Sequence, residues 1–300
     1  MDASKLMFRD GHMAGERVLV TGGGTGLGRE MSESFLKMGA EVYICGRRQN
    51  KLDETAQELM AAHGGKVVPL ACDIRDPEAI NAMVDTIWAD GGALTGLVNN
   101  AAGNFISRTE DLSVNGFNAI ADIVFKGTFF ITQNVGKRLI AEGKTGNFLS
   151  ILATWVWTGS AFVVPSSMSK TAIHSMTQSL STEWGRYGLR FNAIAPGHFP
   201  TKGMSARLAP GSDGMDTKHR QNPMGRSGEM HELCNLAIFL MSDGAKYVNG
   251  QTIAIDGAGA LANGGTFYPM LEGLGDDDWA QMRERIKGTN DKDRADRSTG

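Results

Sequence analysis

Thr21-Gly22-Gly23-Gly24-Thr25-Gly26-Leu27-Gly28 follows the apolar run Val18-Leu19-Val20 and opens a helical pattern that continues to Met38. The stretch reads as a strand, a glycine turn and a helix start. Gly22 can take a positive φ in the turn, Gly26 lets the backbone come close to a ligand, and Gly28 lets the helix pack against the strand. A helix N-terminus presents unpaired N–H groups and a partial positive charge, which suits a pyrophosphate. The spacing is Gly-x-x-x-Gly-x-Gly rather than the Gly-x-Gly-x-x-Gly of the commonest dinucleotide fingerprint. A glycine cluster alone serves turn geometry; the strand before it and the helix after it are what point to a nucleotide.

Outward from this turn, apolar strands alternate with amphipathic helices. Further strands are expected at 41–45, 66–70, 94–98, 148–152, 190–194 and 251–255. Helices are expected at 49–62, from Asp76-Pro77 to Trp88, and over 117–141, 167–187 and 229–241. This rhythm predicts an α/β fold: one doubly wound parallel sheet, Rossmann-like, of about seven strands with helices on both faces. Residues 1–13 read as an N-terminal extension, 14–260 as a dinucleotide-binding catalytic domain, and 261–300 as a C-terminal extension and tail. Inside the domain, the Gly/Met/Pro-rich segment 200–222 breaks the rhythm and reads as a mobile lid. Asp276-Asp277-Asp278 precedes a charged helix, and the polar stretch 289–300 reads as disordered.

With 300 residues, 41% hydrophobic and 21% charged, the chain can bury a full core in one large domain. A net charge of −3 offers no footprint for nucleic acid or an anionic membrane, and no window approaches the apolar run that spans a bilayer. Asp2, Arg9, Asp10 and Glu16 interrupt the start of the chain, which lacks the apolar core of a signal peptide and reads as cytoplasmic. Cys45, Cys72 and Cys234 have no paired spacing and are expected as reduced buried thiols. No metal site is expected, since His231-Glu232 would need a histidine at Asn235 to make the zinc-protease spacing. After Tyr43-Ile44-Cys45 come Gly46-Arg47-Arg48, with no acidic residue at the strand end to take both ribose hydroxyls. Two guanidiniums there can grip a 2′-phosphate, so NADP(H) is the expected cofactor. One of the two reads equally well as a solvated charge at a helix start.

Asn99-Asn100-Ala101-Ala102-Gly103 after the fourth strand, Asp73-Ile74 after the third and Pro196-Gly197-His198-Phe199-Pro200-Thr201 after the sixth join the glycine turn on one sheet edge. Together they resemble the short-chain dehydrogenase/reductase family. The resemblance implies that Thr21, Gly22, Gly24, Thr25, Gly26, Leu27 and Gly28 form the pyrophosphate turn and that Asp73 and Ile74 hold the adenine. It places Asn99, Ala101 and Gly103 on the ribose side, Pro196, Gly197, Phe199 and Thr201 at the nicotinamide, and Lys170 on the nicotinamide ribose. Taken singly, Asp73 as a turn cap and Asn99 as a strand brace are the plainer readings.

A narrower resemblance rests on NNAAGNFISR (99–108), GSAFVVPSSMSK (159–170), PGHFPTKGMSARL (196–208) and the segment 265–286. These look like the NADPH-dependent 2,4-dienoyl-CoA reductase branch. The implied substrate is an acyl-CoA thioester, with Asn104, Phe105, Ser107 and Lys202 bordering its pocket. The helices around 117–141 and 167–187 carry Phe129-Phe130 and Met176 on more than one face, too apolar for a monomer surface. By resemblance they pair subunits about two-fold axes, so a homotetramer is expected.

The departures bear directly on mechanism. The family's Tyr-x-x-x-Lys reads Ser166-Ser167-Met168-Ser169-Lys170, Lys126 stands at the family's asparagine, and Ala153 at its serine. The dienoyl branch supplies a tyrosine fifteen residues before the lysine, where this chain has Trp155. Ketone reduction protonates the oxygen on the same carbon that takes the hydride; losing a positioned acid costs roughly 10²- to 10⁴-fold. Conjugate reduction of a thioester needs donors around an enolate oxygen instead, with the proton reaching carbon later from water. Lys170, Ser166, Lys126 and Trp155 are therefore the candidate catalytic residues, the indole donating a hydrogen bond without being an acid. Two ammonium groups in one crevice would repel and lower a pKa; alternatively Lys126 runs along its stem to solvent. Two other functions stand beside this one: a ketoreductase or alcohol dehydrogenase using His198 or Lys126 as acid, and a weakly catalytic nucleotide-binding protein. His174 reads as an interface or core histidine.

Overall fold

The computed structural model describes residues 2–201, 222–263, 267–271 and 273–298. In chain order these form β1 (Arg17–Thr21), α1 (Gly26–Lys37), β2 (Glu41–Gly46), α2 (Gln49–His63), β3 (Val67–Ala71), α3 (Pro77–Gly91) and β4 (Gly96–Asn99). The second half continues with α4 (Val114–Ala121), α5 (Thr128–Ala141), β5 (Gly146–Ile151), α6 (Trp155–Thr158), α7 (Val164–Glu183) and β6 (Leu189–Pro196). Then come α8 (Met230–Met241), β7 (Thr252–Ile255), α9 (Gly259–Asn263), α10 (Tyr268–Leu271) and α11 (Asp276–Ser298). All seven strands run parallel in the order β3-β2-β1-β4-β5-β6-β7. The order reverses between β1 and β4, so the ligand crevice opens beyond their carboxyl ends.

The strand residues sort to two faces with a period of two. Val18 and Val20 of β1 join Met31 and Phe35 of α1 and Leu233 and Ile238 of α8 in one apolar layer. Leu19 faces the opposite layer, with Ile80, Val84 and Ile87 of α3 and Ile131, Val135 and Leu139 of α5. Burial on both faces is why the strands read as continuous apolar runs, each large side chain contributing about 1.5–3 kcal/mol. Asp76 starts α3 as expected, its side chain accepting the N–H of Glu78 at 2.9 Å with Pro77 in the first turn. The three cysteines are free and buried, and burial pushes the Cys72 thiol up to about 11.

Two expectations need correction. The helix expected over 117–141 is two helices joined by a π-helical turn, Asp122–Gly127. Such a turn changes the direction in which the following side chains project. The stretch expected to be disordered from 289 is helical to Ser298 within α11. Its start is anchored by buried Trp279 and Ile286, Asp276 to Asp278 complement the helix dipole, and Asp291–Arg294 adds an i,i+3 pair at 3.1 Å. Most of the expected lid, 202–221, lies outside the described residues, and Lys202 with it. Among the described residues no helix is long and apolar enough to cross a membrane.

Candidate active site

The glycine turn is built to receive an anion. Thr25, the N-cap of α1, gives no side-chain hydrogen bond to the helix, which leaves its first N–H groups to a ligand. Gly22 sits at φ +67°, and a Cβ on Gly28 would lie 2.4 Å from both Asn100 Nδ2 and the Gly22 carbonyl oxygen. Thr21 ties β1 to the segment after β4: its Oγ1 accepts the N–H groups of Asn100 at 3.0 Å and Ala101 at 2.9 Å. Asn100 Nδ2 in turn donates to the Thr21 carbonyl at 2.9 Å. Sequence reading missed this bracing role, although the Asn-Asn doublet at a strand end is its signal.

Asn99 is buried, and its Nδ2 donates to Thr132 Oγ1 at 2.9 Å while its Oδ1 has no hydrogen-bond partner among the described residues. An unmatched buried acceptor costs about 1–3 kcal/mol, and a hydroxyl-bearing ligand would satisfy it. Across the crevice, the Thr201 methyl lies 4.0 Å from where a Gly26 Cβ would stand, so the loop after β6 faces the glycine turn. Pro196 ends β6 in register with Ile255, and Phe199 is buried beyond it. Asp73 is half-buried and gripped by Arg75, whose Nε lies 2.9 and 3.0 Å and Nη2 2.5 Å from the carboxylate. Burial pushes the Asp73 carboxyl up, but the bonds to Arg75 and the charges of Arg75 and Arg47 outweigh it and hold the group below its ordinary value. Arg47 and Arg48 are exposed just past β2, and Ile74 is buried. Uncapped N–H groups, a turn too tight for any Cβ and an orphaned buried acceptor together fit a dinucleotide.

Farther along the edge, Ser166 and Lys170 stand one turn apart on α7, both buried. The Lys170 ammonium donates to the Ile151 carbonyl at the end of β5. Burial lowers its pKa from 10.5 to about 8. Trp155, half-buried on α6, packs its ring 5.7 Å from that of Phe267. Lys126 is 55% exposed on the π-helical turn and pairs with Asp122 at 2.8 Å. The expected repulsion between two ammonium groups is thus not what lowers Lys170; burial does so. The Asp122 partner, four residues before Lys126, stands in plain view in the sequence at the spacing of a helical ion pair.

His198 Nδ1 lies 2.7 Å from Ser227 Oγ, and His174 Nδ1 lies 2.8 Å from Thr252 Oγ1 with its ring edge-on to Trp157. Asn104 Oδ1 accepts the Phe105 N–H at 3.0 Å, the Ser107 N–H donates to the Phe162 carbonyl at 2.9 Å, and Ile106 is buried. Gly103 faces Ile120 and Ile123 of the helical region after β4.

A doubly wound sheet with a glycine turn and a facing loop at its topological switch point, and a buried lysine at the end of β5 farther along the same edge, is the layout of a nucleotide-dependent oxidoreductase. The chain belongs to the short-chain dehydrogenase/reductase family, residues 22–258 matching the family model described as enoyl-(acyl carrier protein) reductase. It is similar to a probable 2,4-dienoyl-CoA reductase of Caenorhabditis elegans named as (3E)-enoyl-CoA-producing, with 43% identity over 96% of this chain and 94% of that one. A probable 2,4-dienoyl-CoA reductase of Bacillus subtilis, named as (2E)-enoyl-CoA-producing, is 37% identical over 82% of this chain and 96% of that one. Among solved structures, a putative 2-deoxy-D-gluconate 3-dehydrogenase from Agrobacterium tumefaciens with bound NADP superposes with a TM-score of 0.76. It is 31% identical, and the match covers 85% of this chain and 100% of that one.

Proposed function

We propose that the protein reduces a conjugated acyl-CoA thioester, of the 2,4-dienoyl or enoyl class, at the expense of NADPH. The observation that carries the reading is the residue set beside Lys170: a buried ammonium and a buried serine, with serine where the family's phenol would stand. Bound in the crevice, a reduced nicotinamide supplies hydride. Lys170, fixed on the Ile151 carbonyl, holds the cofactor's ribose end in place as a positive charge. Ser166 O–H and the Trp155 indole N–H are the candidate donors to the charge that develops on the thioester oxygen, the kind of group that stabilises an enolate electrostatically. Lys126, exposed and paired with Asp122, is a further candidate cation for this site. No side-chain acid is needed because the proton goes to carbon from water. It is expected at the carbon next to the thioester, giving the product for which the C. elegans relative is named.

Arg47 and Arg48 past β2, with no carboxylate at the end of that strand, support NADPH over NADH. The similar solved dehydrogenase holding NADP is consistent with that preference. Phe125, Phe129 and Met168 are exposed on the π-helical turn, α5 and α7, and support self-association through these helices to a homotetramer. Light scattering at micromolar concentration is expected to give more than a monomer mass; a monomer would remove that part of the reading. The reaction itself is tested by NADPH consumption with dienoyl-, enoyl- and ketoacyl-CoA substrates of equal chain length. Turnover of a conjugated thioester with little of the ketoacyl substrate is expected, and the reverse order would favour a ketoreductase.

A further inference from the structure

The family match ends at residue 258, yet the helices beyond it are tied directly to the loop expected to border the substrate. Phe267, Trp279 and Ile286 are buried in one apolar cluster with Ile106 of that loop and Val163 at the start of α7. The Phe267 ring reaches Trp155 at 5.7 Å, so the C-terminal segment touches one of the proposed donors. Packed against the same cluster is Phe162, at φ +64°, a left-handed conformation rare for a residue with a side chain. Such a residue persists only where its surroundings over-determine it.

Two neighbours hold it. Its carbonyl accepts the Ser107 N–H at 2.9 Å, and its ring packs 4.9 Å from that of Trp279 on α11. The Arg108 guanidinium stands 5.7 Å over the same Trp279 ring and pairs with Asp276 at 2.7 Å. Arg283, farther along α11, pairs with Asp111 at 2.5 Å. Loop, strained residue and C-terminal helix are therefore one clamped unit, with an apolar interior facing Trp155.

We infer that α10 and α11 form the distal wall of the acyl pocket and that Trp279, by holding Phe162 and the loop 104–108, fixes how long an acyl chain the pocket accepts. The inference rests on the thioester reading above. An apolar wall suits a hydrocarbon chain. The solved dehydrogenase named for 2-deoxy-D-gluconate is covered to 100% by 85% of this chain, and the remainder has no counterpart there. Trp279 is a positioning residue, touching neither cofactor nor reacting atoms.

The test measures kcat and KM for hexadienoyl-CoA and a long-chain homologue in the full-length protein, with NADPH affinity alongside. Trp279→Ala is expected to raise the long-to-short kcat/KM ratio by about tenfold or more, through KM, at unchanged NADPH affinity; one methylene in an apolar pocket is already worth roughly 10-fold. Trp279→Phe is expected to keep the wild-type ratio. Because Trp279→Ala can disturb folding, Arg283→Glu serves as a second probe on a half-exposed ion pair, with a smaller shift in the same direction and none for Arg283→Lys. An unchanged ratio in folded Trp279→Ala and Arg283→Glu would overturn this inference alone. A wild-type protein that turns over no thioester would overturn the proposed function and this inference with it.

Discussion

Replacing Lys170 by methionine is expected to stabilise the fold while removing the charge from the site, and the gain should depend on pH. Lys170 has 8% of its surface exposed, and burial depresses its pKa from 10.5 to about 8. Because the folded value lies below the unfolded one, the unfolded chain binds a proton that the folded site resists. The resulting penalty on folding is absent above pH 10.5, grows as pH falls toward 8, and is fully present below that. A tenfold loss of proton affinity is worth about 1.4 kcal/mol, so the full penalty is about 3 kcal/mol. Methionine fills similar volume without a charge. Lys170→Met should therefore exceed the wild type in stability by about 3 kcal/mol at pH 7 and by less than about 1 kcal/mol at pH 10. Urea unfolding of both proteins at the two pH values measures this, and other titrations cancel in the difference. A variant less stable than wild type at pH 7, or a difference that does not shrink as pH rises, would refute the reasoning by showing that the ammonium is fully compensated in the fold.

Arg47→Asp is expected to weaken NADPH binding far more than NADH binding, by on the order of 1–3 kcal/mol for a lost charge-assisted phosphate contact; equal losses measured by fluorescence titration would count against the 2′-phosphate assignment. Lys126→Ala should lower turnover by about 10²-fold at unchanged cofactor affinity if the lysine acts in the transition state. Unchanged turnover would leave Ser166, Trp155 and water as the donors. NADPH affinity itself should fall as pH rises through about 8, where Lys170 loses its proton, and the fall should be absent in Lys170→Met; a pH-independent wild-type affinity would deny Lys170 its role at the ribose.

The features legible in the sequence were those written in local chemistry. Fully buried parallel strands leave apolar runs such as Val18 to Val20, and the Asp76-Pro77 cap announces α3 because it satisfies the helix end it precedes. The glycine turn was readable because sterics at Gly28 admit no other residue. The remainder depends on distant partners. Thr132 joins Asn99 only once α5 lies beside β4, and nothing in Asp122 to Gly127 announces a π-helical turn. The end of the chain reads as polar and aperiodic, because what anchors α11 is a few large side chains, Trp279 and Ile286, meeting a loop some 170 positions earlier, a separation seen in the Arg283–Asp111 bond. Phe162 adopts a left-handed conformation that no local rule assigns to phenylalanine.

The central claim, conjugate hydride addition without a phenolic acid, is tested most directly by the position of isotope in the product. The reaction is run on a 2,4-dienoyl-CoA with NADPH deuterated at the transferring position, and separately with unlabelled NADPH in deuterated water. The cofactor deuterium is expected on the carbon at the far end of the conjugated system and the solvent deuterium on the carbon next to the thioester. Cofactor deuterium found only when a ketoacyl substrate is supplied, on its hydroxyl-bearing carbon, would contradict the account.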